Sequence, residues 1–181
     1  MKKLVLIIML VPLLGISQQQ FKITPKGLNT NSIVIEIDSL NASQLYYKTI
    51  NWIKDTYNSP DEVIKAKFEN EKIRFQGIST NSYTYYVLGS KVSNDVRYMI
   101  EISFKDERYK FELISLEAYF SPTQYTSGGW QVIGFEFWKP NGKIKKIFRD
   151  TPQDMENMLN HLLISHNNYL IGDVNSKKDD W

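Results

Sequence analysis

The two histidines of the chain are the natural place to look for catalytic or metal-binding chemistry. His161 and His166 are five positions apart on a segment predicted to be helical, whereas a helical metal pair needs ligands at i and i+4 on one face. His166 also continues an apolar stripe, so we expect it at the boundary of the core with one ring nitrogen in a hydrogen bond. The chain has no cysteine, and no sequence motif for a nucleotide or a metal is present. We predict no cofactor and no metal site.

Serine and carboxylate side chains form no catalytic pattern either. Segment 127–129 (Ser-Gly-Gly) lacks the preceding glycine of a nucleophile elbow, and a Ser-His-acid triad, which the sequence leaves open, would need a histidine from the last helix. A pair of acids could hydrolyse a glycoside, but strand alternation places most of the candidates opposite the core, where charge commonly serves solubility. These candidates are Glu101, Glu112, Glu117 and Glu136. We therefore predict no catalytic residue.

An aromatic-rich segment over residues 119–130 is the feature that most suggests binding. It interrupts the strand pattern and is predicted to be a loop, and loops of this length are often functional. Tyrosine and tryptophan on a loop are typical contacts for carbohydrate, peptide or protein partners. The candidate binding residues are Tyr119, Tyr125 and Trp130. The alternative is that Phe120 and Trp130 plug the edge of the sheet, and both interpretations are kept.

The N-terminus has the three parts of an export signal. Lys2 and Lys3 precede a short apolar run, and small residues then lead to Ser17. We predict a signal peptide over residues 1–17 that is cleaved between Ser17 and Gln18. The apolar run is too short to span a bilayer, and no cysteine follows the cleavage site to carry a lipid. The expected product is periplasmic or secreted, with no membrane anchor after cleavage.

The charge balance argues against nucleic acid as a partner. The chain has 22 Lys and Arg against 20 Asp and Glu, and removal of Lys2 and Lys3 leaves 22 − 2 = 20 basic residues against the same 20 acidic ones. Binding to nucleic acid depends on clustered cations that neutralise phosphates. A formally neutral mature chain lacks that excess of positive charge.

Two helices are predicted near the two ends of the folded region. Asn41 is a favourable N-cap, Gln44 completes a capping box, and an apolar stripe continues to Tyr57. The second helix is predicted to begin with Thr151 as its N-cap and to end at Gly172. Each apolar stripe must be buried against another element.

Strands are predicted to fill the space between the helices. They cover residues 62–68, 72–79, 83–88, 97–105, 108–116, 131–138 and 143–148, after a first strand over 33–38. The fold class is therefore α+β, with two helices packed on one face of an antiparallel sheet. The expected boundaries are an irregular N-terminal arm over 18–31, a single domain over 32–172 and a polar tail over 173–181.

One strand pair is specific enough to predict its register. The facing residues are Phe104 with Tyr109, Ile102 with Phe111, and Ile100 with Leu113. This register also sets Glu101 opposite Glu112 on the outer face, which is unfavourable. The register is acceptable if Lys110 and other neighbours screen the two carboxylates.

Several short motifs carry a resemblance to a known family, and they are Leu45-Tyr46, Trp52-Ile53, Tyr57 and Val63-Ile64, then residues 72–78 and 98–113. In these motifs the sequence resembles a family of exported bacterial proteins, a domain of unknown function with a TBP-like (TATA-binding-protein-like) fold. The resemblance covers residues 32–120. It implies a curved antiparallel sheet with helices on one side, and it implies no activity, because shape alone does not carry function.

Two hypotheses of function follow from these observations. The first is a non-catalytic exported module that binds an envelope protein or a glycan through an exposed sheet face and the 119–130 segment. The second is a small-ligand carrier or hydrolase with a pocket between the sheet and the helices. A structural role through self-association of a sheet edge also stays open.

Overall fold

The computed structural model describes residues 19–175 as an antiparallel sheet with helices on one face. The elements are β1 (Ile23–Thr24), β2 (Gly27–Leu28), β3 (Ser32–Glu36), α1 (Ala42–Thr56), α2 (Pro60–Val63), β4 (Ile64–Phe68), β5 (Lys72–Val87), β6 (Ser90–Lys105), β7 (Arg108–Phe120), β8 (Gly129–Val132), a 3₁₀ turn (Lys146–Phe148) and α3 (Thr151–Asn175). The main sheet has the order β3-β7-β6-β5-β4, and β8 also pairs with β7. The predicted signal peptide, its cleavage site between Ser17 and Gln18, and residues 176–181 lie outside the described residues.

Helix α1 begins as its sequence predicts. The Asn41 side chain accepts a hydrogen bond from the Gln44 backbone, and the Gln44 side chain accepts one from the Asn41 backbone. Both halves of the capping box are thus formed, and they satisfy donors that a helix start would otherwise leave unpaired. The apolar stripe buries Trp52 and Ile53 completely against the sheet. Pro60 occupies the first position of the short helix α2.

Helix α3 differs from the prediction at both ends. Thr151 is already helical, and its hydroxyl donates to the backbone carbonyl of Thr84 instead of capping the helix. The backbone carbonyl of Asp150 accepts the first helical bond, from Asp154. The helix also passes Gly172 and continues to Asn175, because an isolated glycine weakens a helix without necessarily ending it.

The hairpin of β5 and β6 has longer strands, and fewer of them, than the sequence predicts. Strands β5 and β6 have 16 residues each, so the two predicted strands over 72–79 and 83–88 are one strand. Their pairing is interrupted only by an irregularity between Ser79 and Tyr83. Leu88 and Gly89 close the hairpin with φ angles of 49° and 86°, the left-handed pair that a tight hairpin turn requires.

The register of β6 with β7 is confirmed. Phe104 faces Tyr109, Ile102 faces Phe111, and Ile100 faces Leu113. Glu101 does stand opposite Glu112, and each carboxylate has its own cations. Arg74 donates to Glu101 at 2.7 Å and Lys110 pairs with Glu112. Burial alone would raise the pKa of Glu101, but the hydrogen bonds from Arg74 and Lys72 outweigh it and hold that pKa below its usual value.

The predicted irregular arm over 18–31 is wrong in part, because the described portion is anchored to the core. It contains the small hairpin of β1 and β2. Phe21 is fully buried, and its ring centroid lies 6.2 Å from that of Phe111. The backbone of Phe21 both donates to and accepts from the side chain of Asn160 on α3. The arm is therefore part of the folded body.

The predicted hairpin over 131–138 and 143–148 is also mostly wrong. Strand β8 ends at Val132, and only an isolated bridge joins Trp138 to Ile144. The segment between β8 and α3 instead packs its aromatic rings on the β5–β6 hairpin, with Phe137 6.2 Å and Phe148 6.4 Å from Tyr83. Aromatic packing rather than strand pairing holds this segment in place.

Candidate functional site

The face of the sheet that the helices leave uncovered carries polar and apolar side chains in cross-strand rows. Buried residues of β5, β6 and β7 alternate with residues of the uncovered face, as the two-residue period of a strand requires. The middle rows hold the ion pairs around Glu101 and Glu112. Large apolar residues of this face stay exposed at 44–79%, and they are Val34, Ile78, Ile114 and Val132.

At one end of this face, two of the three candidate binding residues are brought together. Tyr119 and Trp130 are cross-strand partners on β7 and β8, so they lie on strands and not on a loop. Their ring centroids are 5.4 Å apart at an interplanar angle of 64°. Only residues 121–128 form the loop. Tyr125 lies in that loop at 85% exposure and does not join the pair.

An arginine that the sequence analysis did not single out completes this group. The Arg97 guanidinium lies 4.5 Å from the centroid of the Trp130 ring, and it also donates to Glu117 at 2.8 Å and 2.7 Å. Arg97, Glu117, Tyr119 and Trp130 are called the Trp130 cluster below. The Arg97 guanidinium therefore contacts a carboxylate and an aromatic face at the same time, and the two contacts together fix the orientation of the side chain.

The alternative interpretation, in which an aromatic side chain plugs the edge of the sheet, fits Phe120 and does not fit Trp130. The Phe120 ring packs 5.9 Å from Tyr83 and 6.2 Å from Tyr85, on the side of the sheet opposite the cluster. Trp130 is only partly buried on the uncovered face. The two aromatic residues that the sequence analysis grouped together thus have different surroundings.

The acids considered for catalysis are accounted for by pairing or position. Glu101, Glu112 and Glu117 lie on the uncovered face, and each is paired with arginine or lysine. Glu136 is exposed in the segment after β8 and is not on a strand. Their arrangement favours a charged surface rather than a pair of catalytic acids.

His166 does not lie at the core boundary where we expected it. It is fully buried, with its ring centroid 5.0 Å from Trp52 and 4.8 Å from Tyr109. Burial lowers the pKa of His166 to about 3, so the ring is neutral at physiological pH. Among residues 19–175, no group of three or more potential metal ligands comes together.

A second concave region lies on the helix side, between the β5–β6 hairpin and α3. This hairpin–helix cleft has a volume of about 430 Å³. Asp154, Asn157 and His161 line it from α3, and serine and threonine hydroxyls line it from the hairpin. His161 thus faces a cavity while His166 is sealed in the core.

Comparison with known proteins gives the fold and no activity. A family described as a domain of unknown function (DUF4468) with a TBP-like fold matches residues 32–118. The fold is also similar to that of a crystallised TBP-like protein from Parabacteroides distasonis, with a TM-score of 0.54 and 15% identity over 77% of this chain and 90% of that one. A crystallised DUF4468 family protein from Bacteroides ovatus gives a TM-score of 0.59 and 12% identity over 77% and 84% of the two chains. No curated protein matches the sequence.

These comparisons confirm the resemblance and the α+β, TBP-like fold predicted from sequence. The family match ends at residue 118, just before Tyr119 and Trp130. Among residues 19–175, no helix has the length and apolar composition needed to cross a membrane.

Proposed function

We propose, from the premise that residues 32–118 belong to the DUF4468 family with its TBP-like fold, that this protein is a non-catalytic module that binds another protein. The Trp130 cluster on the uncovered sheet face is the proposed contact. Export, predicted from residues 1–17, would make the partner a protein of the cell envelope or its surroundings.

The observation that carries the proposal is the composition of the cluster. Tryptophan, tyrosine and arginine are the residues that most often contribute strongly to protein–protein binding. Here the tyrosine and the arginine both contact the tryptophan, on a face that no described helix covers. Val132 stands beside Glu117 on the next strand at 79% exposure, so an apolar surface adjoins the cluster.

The position of Arg97 favours a protein over a glycan. A sugar usually stacks its apolar face on an open aromatic ring, whereas the guanidinium already lies over one face of Trp130 at 4.5 Å. The Tyr119 ring also packs against the indole, in a T-shaped arrangement. A protein side chain can instead contact Arg97 and Trp130 together, because the arginine offers donors and the indole offers apolar area.

Site-specific photo-crosslinking in the source cells tests this proposal. A photoreactive residue at Val132 should give a discrete protein adduct that Trp130→Ala abolishes. The matched control places the same group at Tyr47, a half-exposed aromatic residue of α1, and should give no such adduct. An adduct at Val132 that persists in Trp130→Ala, or saccharide binding that depends on Trp130, would contradict the proposal.

A further inference from the structure

The hairpin–helix cleft is a second site, and none of the residues of the Trp130 cluster contributes to its lining. Its α3 wall presents Asp154, Asn157 and His161, whose spacing of three and four residues places them on one helix face. Its opposite wall carries hydroxyls from β5 and β6, namely those of Ser79, Ser82, Thr84 and Ser93. Hydrogen-bonding groups thus face each other across the cavity.

The walls of the cleft are held in place by contacts of their own. The Ser79 and Ser82 hydroxyls are 2.6 Å apart. The Thr84 carbonyl accepts from the Thr151 hydroxyl at the start of α3, which joins the helix wall to the hairpin wall. The walls are therefore largely ordered before a ligand arrives, and less entropy is lost on binding.

The floor of the cleft is apolar and rigid. Met158 and Leu162 of α3 and Tyr98 of β6 contribute to its lining. The Tyr98 ring lies directly over Gly77, where an added Cβ would come within 2.3 Å of the hydroxyl oxygen. That hydroxyl is fixed by a 2.7 Å hydrogen bond with Tyr57. Polar walls over an apolar floor suit a molecule with both hydroxyl groups and exposed C–H surface.

The charges of the cleft select against ionic ligands. Asp154 and Lys91 contribute one formal negative and one formal positive charge to its lining, and these two charges cancel. A phosphate or carboxylate ligand would need an excess of cations or aligned backbone donors. Hydroxyl and amide groups, by contrast, both donate and accept, which matches the hydroxyl groups of a sugar or polyol.

We infer that the hairpin–helix cleft binds a small neutral polyhydroxylated molecule of the size of a mono- or disaccharide. The volume of about 430 Å³ is within the range of about 300–1,000 Å³ that is usual for small-molecule sites. This binding is independent of the protein partner proposed for the Trp130 cluster.

Two-dimensional NMR titration of the purified protein tests the inference. The probes are glucose, galactose, N-acetylglucosamine and cellobiose, with glucose 6-phosphate and glucuronate as charged counterparts. At least one neutral sugar should shift the amide signals of residues 78–93 and 154–162. No shift with any of the four neutral sugars, shifts located elsewhere, or tighter binding of a charged counterpart would overturn the inference.

Two asparagines of α3 provide a matched pair of variants. Asn157 lines the cleft and Asn168 does not, and both side chains are exposed, so neither substitution should disturb folding. Asn157→Ala should raise Kd about five- to tenfold through the loss of hydrogen bonding, and Asn168→Ala should leave Kd unchanged. Equal effects of both substitutions would overturn the assignment. Trp130→Ala should also leave Kd unchanged, so a failure of either proposal leaves the other standing.

Discussion

The hydroxyl oxygen of Thr49 on α1 lies 2.8 Å from Nε2 of His166 on α3, inside the core. The other ring nitrogen, Nδ1, has no hydrogen-bond partner among the described residues. A proton added to this ring would create a charge enclosed by Trp52, Tyr109 and Phe111. The core around this contact therefore disfavours the charged form of the ring, because its desolvation has no compensating partner at Nδ1.

This arrangement predicts a loss of stability in mild acid. The pKa of His166 is about 3 in the folded protein and about 6.5 when the chain is unfolded. Between these values the unfolded state binds more protons, so the free energy of unfolding falls as the pH falls. We expect a contribution of about 2 kcal/mol to be lost between pH 7 and pH 5.

Urea unfolding of the wild type and of His166→Leu at several pH values measures this contribution. The variant cannot take up the proton, so its unfolding free energy should change less between pH 7 and pH 5 than that of the wild type. His161→Leu, at an exposed position of the same helix, is the control and should keep the wild-type pH dependence. Parallel pH profiles for wild type and His166→Leu would mean that the buried ring does not determine the acid response.

The N-terminal arm provides a second prediction. Phe21 is fully buried, whereas Phe68 on the edge strand is 51% exposed. Phe21→Ala should lower the free energy of unfolding by about 3–5 kcal/mol, the usual cost of truncating a core phenylalanine. Phe68→Ala should cost less than about 1 kcal/mol, since surface substitutions have small effects. Chemical denaturation of both variants checks this, and equal losses would mean that the arm does not contribute to the core.

The local sequence pattern predicted the register of β6 with β7 correctly near their turn, but only as far as a bulge in the pairing. The alternation around a two-residue turn at 106–107 fixed the register as far as Ile100 and Leu113. Between Met99 and Ile100 the pairing shifts by one residue. That shift places Arg97 opposite Glu117, whereas an uninterrupted register would place it opposite Leu116. The arginine of the Trp130 cluster was missed for this reason.

Contacts between distant parts of the chain were the other source of error. Phe21 and Asn160 are 139 positions apart, and no periodicity near Phe21 indicates such a partner. The three residues between Ser79 and Tyr83, which are Thr80, Asn81 and Ser82, have turn-like composition, but the pairing of β5 with β6 continues on both sides of them. In both cases tertiary contacts outweighed local sequence preference.

Close packing at Gly77 provides a third prediction. A Cβ at this position would lie 2.3 Å from the Tyr98 hydroxyl oxygen, while Gly134 has open space around it. Gly77→Ala should therefore lower the free energy of unfolding by about 1–3 kcal/mol, the usual cost of overpacking. Gly134→Ala is the matched control and should change stability little. In the Tyr98→Ala background, the added cost of Gly77→Ala should largely disappear, and a cost that persists would rule out the ring contact as its cause.

The Trp130 cluster provides the last prediction, which concerns its geometry without any partner. Because the Arg97 guanidinium lies 4.5 Å from the centroid of the Trp130 ring, Arg97→Ala should expose the indole to acrylamide and increase the quenching of tryptophan fluorescence. Arg108→Ala, an exposed arginine at the far end of the same face, should leave quenching unchanged.

The same change in a Trp130→Phe background assigns the signal to one indole. If Arg97 shields Trp130, Arg97→Ala should have no effect on quenching once Trp130 is replaced. An effect of equal size in that background would show that another tryptophan responds and that the arginine does not cover this ring. A protein partner would then be less favoured over a glycan, since an uncovered indole could accept a sugar by stacking.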